Sequence, residues 1–228
     1  MNKQNLIIQK VIEQRFLPLF YHDDVDTCIE VTRALYKAGV RCVEFTNRGS
    51  KALKNFSALV KEKNNSMPEM YLGIGTIKSG EEAILFINEG ADFLVSPIFD
   101  KGICGVANFN KVPWIPGCMT VTEIDNAQKN GCLLIKLFPG NVLGPGFVEA
   151  IMPLFSGVNF IVTGGVDTTT ENLYPWFKSG VAGVGLGSKL VTATILQNKN
   201  YDDLIIKTTE LKAIIESIKI LLNNHFIK

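Results

Sequence analysis

The heptapeptide Leu-Leu-Ile-Lys-Leu-Phe-Pro, residues 133–139, is an apolar run that follows Gly131 closely and ends on Pro139. A short apolar run between such breakers predicts a strand that is buried on both faces. Lys136 is its one charged residue, and an ammonium group in a buried strand is unfavourable unless it is paired or loses its proton. An unprotonated lysine is a nucleophile toward ketones, whereas a lysine at a strand end keeps its amine in water. From this run alone, Lys136 could be either a catalytic nucleophile or a lysine whose amine is solvated at the end of a strand.

The chain on either side of this run repeats a strand followed by a helix, which indicates a parallel sheet. The eight predicted strands are 15–21, 41–46, 71–77, 93–97, 112–116, 133–138, 160–163 and 182–186. Eight such units in 228 residues predict a (β/α)8 TIM barrel that forms a single domain over residues 1–228. A doubly wound sheet is the competing fold, but it favours fewer strands and a glycine-rich turn after the first strand. The chain reads Tyr21-His-Asp-Asp24 there.

Apolar residues at helical spacing mark the segments between the strands. The predicted helices are 3–14, 25–38, 51–63, 80–88, 101–107, 121–130, 147–155, 170–178 and 202–224. The first is a short helix that precedes the barrel, and the last is a long amphipathic helix that we expect to close the outer ring. Asp24 is a predicted N-cap, and Thr120 with Glu123 predicts a capping box. Four helices end in a glycine that suits a left-handed turn: Gly39, Gly90, Gly131 and Gly180.

Composition narrows the class of protein. The formal net charge of +1 indicates no bias toward nucleic acid or an anionic membrane, and no apolar run is long enough for a membrane span. The N-terminus does not resemble a signal peptide, so we expect a cytoplasmic protein. The five cysteines form no Cys-x-x-Cys pair, which argues against a disulfide framework or a zinc site. The two histidines are far apart in sequence, so we expect no metal site built on histidines.

In a (β/α)8 barrel the catalytic groups stand at the C-terminal ends of the strands. Glu44 lies inside the second strand near its end, where a buried carboxylate suits proton transfer. An ion pair with Arg48 or Arg41 is the structural alternative for this glutamate. Thr76 supplies a hydroxyl after the third strand, and Pro97 follows the fourth.

Glycine-rich turns follow the last two strands, with Gly164 and Gly165 in the first turn and Gly187 and Ser188 in the second. Free backbone N–H groups at such turns form the phosphate site that is usual in this fold. A lysine without metal ligands favours Schiff-base chemistry on a ketone, and an arginine suits a carboxylate. The implied substrate is a 2-keto acid with a phosphate at its far end.

At this point the sequence resembles the 2-keto-3-deoxy-6-phosphogluconate and 4-hydroxy-2-oxoglutarate aldolases, class I lyases on a (β/α)8 barrel. The resemblance covers about residues 10–200. The segments that carry it are 39–46 with Arg48, 73–77, 93–97, 113–117, 135–139, 163–165 and 185–188. It implies retro-aldol cleavage to pyruvate and glyceraldehyde 3-phosphate, or to pyruvate and glyoxylate, by a homotrimer that uses no cofactor.

The resemblance also implies a role for each matching residue. Lys136 is similar to the Schiff-base lysine and Glu44 to the acid/base of the family, while Arg48 and Thr76 match the groups that hold the substrate carboxylate. The remaining matches place Phe138, Thr163 and Pro97 along the substrate chain, and Gly164, Gly165, Gly187, Ser188 and Arg15 at the phosphate.

Two loops depart from the pattern of the family. The chain reads Phe138-Pro-Gly-Asn141 where many members have Phe-Pro-Ala-Glu, and Pro97-Ile-Phe-Asp100 where a Pro-Gly is usual. Both departures put the choice of aldehyde in question. A phosphogalactonate aldolase, a phosphosugar isomerase or epimerase, and a non-catalytic sugar-phosphate binder remain as alternatives.

Overall fold

The structure is a computed structural model that describes residues 3–225, and its strands are joined side by side in one parallel sheet. The strands are Phe16–Phe20 (β1), Cys42–Thr46 (β2), Tyr71–Gly75 (β3), Phe93–Val95 (β4), Trp114–Ile115 (β5), Gly117–Cys118 (β6), Leu134–Leu137 (β7), Asn159–Thr163 (β8) and Gly183–Leu186 (β9). Their order is β5-β4-β3-β2-β1-β9-β8-β7-β6. The sheet curls into a nearly closed barrel, which confirms the predicted TIM-like fold.

The two edge strands, β5 and β6, are neighbours in the chain and are separated only by Pro116. β5 pairs with β4, and β6 pairs with β7. A proline has no N–H to give to a ladder, so the single strand predicted over 112–116 is broken there into two short strands. The Pro116 carbonyl accepts a hydrogen bond of 2.8 Å from the backbone N–H of Lys136, so the broken strand closes the barrel.

Ten α-helices are present in residues 3–225. They are Lys3–Gln14 (α1), Val25–Lys37 (α2), Ala52–Ser66 (α3), Gly80–Asn88 (α4), Lys101–Asn110 (α5), Val121–Lys129 (α6), Gly140–Ile151 (α7), Thr170–Lys178 (α8), Ala193–Asn198 (α9) and Tyr201–His225 (α10). None of these helices is long and apolar enough to cross a membrane.

The predicted caps are confirmed, whereas two of the helices differ from prediction. The Asp24 side chain accepts the N–H of Thr27, and the capping box of Thr120 and Glu123 is formed. α7 begins at Gly140, well before the predicted start at residue 147. It is kinked at Gly144, which has a φ of 73° and directly precedes Pro145. α9 was not predicted, because its single buried residue, Ile195, leaves no apolar period to detect.

Two apolar layers enclose the strands. The larger lies between the sheet and the outer helices, and the smaller fills the inside of the barrel. Ile7 and Val11 of α1 belong to the inner layer and pack with inward residues such as Leu17 and Leu134. α1 therefore plugs the N-terminal end of the barrel, and the C-terminal end is left for a site.

Candidate active site

Lys136 and Glu44 both point into the barrel. On β7, Leu134 belongs to the inner layer while Ile135 and Leu137 belong to the outer one, and the period of two turns Lys136 inward. The same alternation on β2 places Cys42 inside and turns Glu44 to the same side. Lys136 is only 7% exposed and Glu44 only 1%. Two ionisable groups thus share the interior above the apolar plug.

Burial raises the pKa of the Glu44 carboxyl above its ordinary value of 4.5, and the positive charges of Lys136 and Arg48 oppose that shift. Burial is the largest of these effects, because a carboxylate in a low-dielectric interior loses its hydration. A carboxyl group whose pKa is raised in this way can both accept and return a proton nearer to neutral pH. The structural ion pair of Glu44 with Arg41 is excluded, because Arg41 instead pairs with Glu69 at 3.1 Å.

Gly75 provides the space for the Glu44 carboxyl. A Cβ atom at residue 75 would overlap the Glu44 side chain, and one at residue 73 would overlap the ring of Phe93. β3 therefore carries glycine at two of its inward positions, 73 and 75, because neighbouring side chains occupy that volume.

Replacing Gly75 with alanine should lower the free energy of unfolding by about 1–3 kcal/mol, since the added methyl overpacks the interior. Gly105 of α5 is the matched control, because a Cβ there meets no atom within 4 Å. Gly105→Ala should raise stability by about 0.5–1 kcal/mol, the usual gain in a helix interior. Urea denaturation measures both variants, and equal midpoints for the two would contradict this packing.

The groups predicted to hold a carboxylate lie at the ends of adjacent strands. Arg48 follows β2 and is exposed, and Thr76 follows β3 directly. The backbone N–H of Asn47 donates to the Gly75 carbonyl at 2.8 Å, which ties the two strand ends together. Thr76 has a φ of 61°, a strained conformation for a β-branched residue, and such outliers gather at functional sites.

Two more predicted residues lie near Lys136. Its Nζ atom is 5.3 Å from the centroid of the Phe138 ring, within the range of a cation–π contact. Pro97 packs against Gly117, and Gly117 is the residue that pairs with Lys136 in the β6–β7 register. A Cβ at residue 117 would overlap the Pro97 backbone, so the loop after β4 packs directly over β6.

The predicted phosphate turns are adjacent. Thr163 pairs with Gly185 in the β8–β9 register, and a Cβ at residue 185 would overlap the Thr163 hydroxyl. Gly164 and Gly165 have φ values of 101° and 73°, so their conformations favour glycine. Gly187 and Ser188 follow β9 beside them. Backbone N–H groups of both turns are thus gathered at the C-terminal end of the barrel.

Arg15, which the sequence comparison placed at the phosphate, lies at the opposite end of the barrel. It follows the last turn of α1, where its N–H donates to Val11 and Ile12, and its carbonyl accepts the N–H of Val184 at the start of β9. Its side chain lines a cleft with Gly39 and Arg41, near the N-terminal end of β2. This placement excludes Arg15 from the proposed phosphate site.

Tyr21 is a residue of this region that the sequence patterns did not predict. Its hydroxyl donates to Asp23 at 2.5 Å and accepts the backbone N–H of Lys51. A Cβ at Gly49 would overlap the same hydroxyl, so Tyr21 packs against the residue that follows Arg48. Tyr21 therefore stabilises the loop that carries Arg48, the arginine predicted to bind the substrate carboxylate. Its place at the C-terminal end of β1 was the available signal.

Within the described residues 3–225, no cluster of three or more histidine, cysteine or acidic side chains is arranged to hold a metal ion. The fold and the site define a (β/α)8 barrel protein that carries a buried lysine and a buried carboxyl in its interior, below the C-terminal rim. A family model described as KDPG and KHG aldolase matches residues 7–207. The chain belongs to this family of lyases, which act on 2-keto-3-deoxy-6-phosphogluconate and 4-hydroxy-2-oxoglutarate.

Individual relatives agree with this family. A 2-dehydro-3-deoxy-phosphogluconate aldolase of Treponema pallidum is 31% identical over 161 residues, 70% of this chain and 75% of the relative. A KHG/KDPG aldolase of Escherichia coli is 31% identical over 187 residues, 82% of this chain and 85% of the relative. The crystal structure of a 4-hydroxy-2-oxoglutarate/2-dehydro-3-deoxyphosphogluconate aldolase from TTHB1 has a TM-score of 0.77 and 30% identity, covering 94% of this chain and 98% of that one.

Proposed function

We propose that this chain cleaves 2-keto-3-deoxy-6-phosphogluconate to pyruvate and glyceraldehyde 3-phosphate by a Schiff-base mechanism. The observation that carries the proposal is the burial of Lys136 in the same interior as Glu44, above the apolar plug. Membership of the KDPG and KHG aldolase family supports the reaction class. An isomerase or epimerase on the same barrel would use an acid/base pair and would form no imine, which is the difference that an imine-trapping experiment detects.

The first half of the reaction forms the imine. The unprotonated amine of Lys136 attacks the C2 ketone to give a carbinolamine, and loss of water gives a protonated imine. Arg48 and Thr76 hold the substrate carboxylate, and the Phe138 ring lies beside the imine cation, as it lies beside Nζ here. The imine nitrogen is then the electron sink for breaking the C3–C4 bond.

The second half of the reaction moves a proton through Glu44. Its carboxylate takes the proton of the C4 hydroxyl, the C3–C4 bond breaks, and the electron pair passes into an enamine on Lys136. Glyceraldehyde 3-phosphate leaves, and the same carboxyl returns its proton to C3. Hydrolysis of the new imine frees pyruvate and restores the amine.

Borohydride reduction in the presence of pyruvate tests the proposal. The imine would be reduced to a stable secondary amine, and peptide mass analysis should place the label on Lys136. Lys178, an exposed lysine of α8, is the internal control and should stay unlabelled. A protein that stays unlabelled under conditions that label a known class I aldolase would rule out the Schiff-base mechanism.

The preferred substrate is a finer part of the proposal. Thr163 beside the substrate chain supports the gluconate type by resemblance, and the paired glycine turns support a phosphorylated substrate. A coupled pyruvate assay on the phosphogluconate, phosphogalactonate and 4-hydroxy-2-oxoglutarate substrates ranks them. The highest kcat/KM on the phosphogalactonate compound would replace the gluconate assignment.

Tyr21→Phe should raise the KM for pyruvate in the condensation direction about 5- to 10-fold, with kcat changed by less than about 2-fold. The reason is that the loop carrying Arg48 loses the hydrogen bonds of the Tyr21 hydroxyl to Asp23 and Lys51. Tyr36→Phe is the control, because the Tyr36 hydroxyl makes a single long hydrogen bond, 3.5 Å to Glu69, among residues 3–225. Steady-state kinetics of both variants provide the measurement, and a KM for Tyr21→Phe equal to that of Tyr36→Phe would refute the role of Tyr21.

We also propose a homotrimer in the cytoplasm. Large apolar side chains are exposed on the two helices α4 and α5, which pack against each other. Phe109 of α5 is 87% exposed, and Leu85 of α4 is also exposed. A subunit contact would cover such a surface. The five free, buried cysteines fit a reducing compartment. Sedimentation equilibrium should give the mass of three chains, and the mass of one chain would refute the trimer.

A further inference from the structure

The two proposed phosphate turns are joined by an ion pair. Lys189, which directly follows Gly187 and Ser188, has its Nζ atom 3.0 Å from Oδ2 of Asp167. Asp167 follows Gly164 and Gly165 in the other turn and also accepts the N–H of Thr168 through Oδ1. The Lys189 amine therefore lies between the two turns, which follow the neighbouring strands β8 and β9. The side chain remains 62% exposed, so a ligand can reach it.

Lys189 is also the only cation that either turn provides. Residues 163–168 and 187–192 contain no other lysine or arginine. Arg15, the cation expected from sequence, is at the far end of the barrel. A phosphate monoester carries nearly two negative charges at neutral pH, more than neutral N–H groups and one hydroxyl compensate.

We propose that Lys189 is a specificity-determining residue that binds the phosphate of the substrate and exchanges Asp167 for that phosphate on binding. The inference rests on the proposed aldolase function and names the substrate class, a 2-keto acid with a phosphate monoester at its far end. Asp167 holds the amine between the turns when the site is empty and competes with the phosphate for it. Lys189 takes no part in bond cleavage.

Three variants separate this role from a structural one. Lys189→Met removes the cation, Lys189→Arg keeps it, and Asp167→Asn breaks the ion pair while leaving the cation in place. If the ion pair only held the turns together, Lys189→Met and Asp167→Asn would weaken phosphate binding equally. If Lys189 itself binds the phosphate, only Lys189→Met should weaken that binding.

Titration calorimetry with glycerol 3-phosphate provides a readout that does not depend on turnover. Lys189→Met should weaken binding about 10- to 100-fold, the loss of one charge-assisted contact, whereas Lys189→Arg and Asp167→Asn should bind within about 3-fold of the wild type or more tightly. Equal weakening in Lys189→Met and Asp167→Asn, or no change in Lys189→Met, would overturn the inference.

Kinetics on two matched substrates complete the test. Lys189→Met should lower kcat/KM by about 10- to 100-fold on 2-keto-3-deoxy-6-phosphogluconate and by less than about 2-fold on the same compound without its phosphate. Equal losses on both substrates would overturn the inference. A wild-type protein that cleaves neither substrate would refute the proposed aldolase function, while the calorimetric comparison would still decide the role of Lys189.

Discussion

Lys136→Met should lower kcat for aldol cleavage at least about 10⁴-fold, because the imine forms on Lys136, the only buried lysine among residues 3–225. Methionine has a similar length and fills the same volume on β7, so the far-UV circular dichroism and the thermal unfolding midpoint should stay close to those of the wild type. The measurement is a coupled assay of pyruvate release at saturating substrate. Activity within about 10-fold of the wild type would show that Lys136 is not the nucleophile.

The control for this variant is Lys178→Met, which removes an exposed lysine of α8 that is not among the proposed site residues. Its kcat should stay within about 2-fold of the wild type, as is usual for an exposed position. Lys136→Arg adds a second comparison, since arginine keeps the positive charge but forms no imine with a ketone. If Lys136→Arg retained activity, the lysine would act through its charge alone.

Glu44→Gln should lower kcat about 10²- to 10⁴-fold, the usual contribution of a general acid/base. Imine formation with pyruvate and borohydride should persist, because Lys136 is intact. Glu210→Gln, at an exposed position of α10, is the matched control and should retain full activity. Loss of borohydride labelling in Glu44→Gln would mean that Glu44 serves imine formation rather than the proton transfer at C3 and C4.

The same variant should change the pH dependence of stability. Burial raises the folded-state pKa of Glu44 above 4.5, so between 4.5 and the raised value the folded protein binds more protons than the unfolded chain. Stability from this group is present below pH 4.5 and is lost as pH rises through the folded pKa. The free energy of unfolding of Glu44→Gln should therefore equal that of the wild type below pH 4.5. It should exceed the wild-type value at pH values above the folded-state pKa of Glu44, and urea denaturation at a series of pH values measures both. A gain that is greatest at low pH would contradict the burial effect.

The barrel and its central residues were predictable from local patterns. The apolar run 133–138 and its neighbours predicted β7 and the other long strands, and the caps at Asp24 and Thr120 formed as expected. The inward direction of Lys136 and Glu44 follows from the period of two once the inner layer is known.

Other features depend on tertiary arrangement, which a single sequence does not encode locally. Arg15 looked like a first-strand residue, yet its φ of 63° makes it the turn that ends α1, so the charge faces the wrong end of the barrel. The break at Pro116 depends on strand pairing on both sides, and the meeting of Lys189 with Asp167 depends on the adjacency of β8 and β9. The kink at Gly144 likewise hid the start of α7.

The broken fifth strand also has a consequence for the local stability of the barrel. Its two halves contain only two residues each, and the short half Gly117–Cys118 supplies the ladder on one side of β7. The backbone N–H of Lys136 is bonded across this seam to the Pro116 carbonyl. A local opening of the seam would free the amide of Lys136 to exchange with solvent and would displace the amine while the rest of the barrel stayed folded. The proposed nucleophile lies on β7 beside this seam, so the local stability of the seam, rather than the global stability of the barrel, sets how long the site remains assembled.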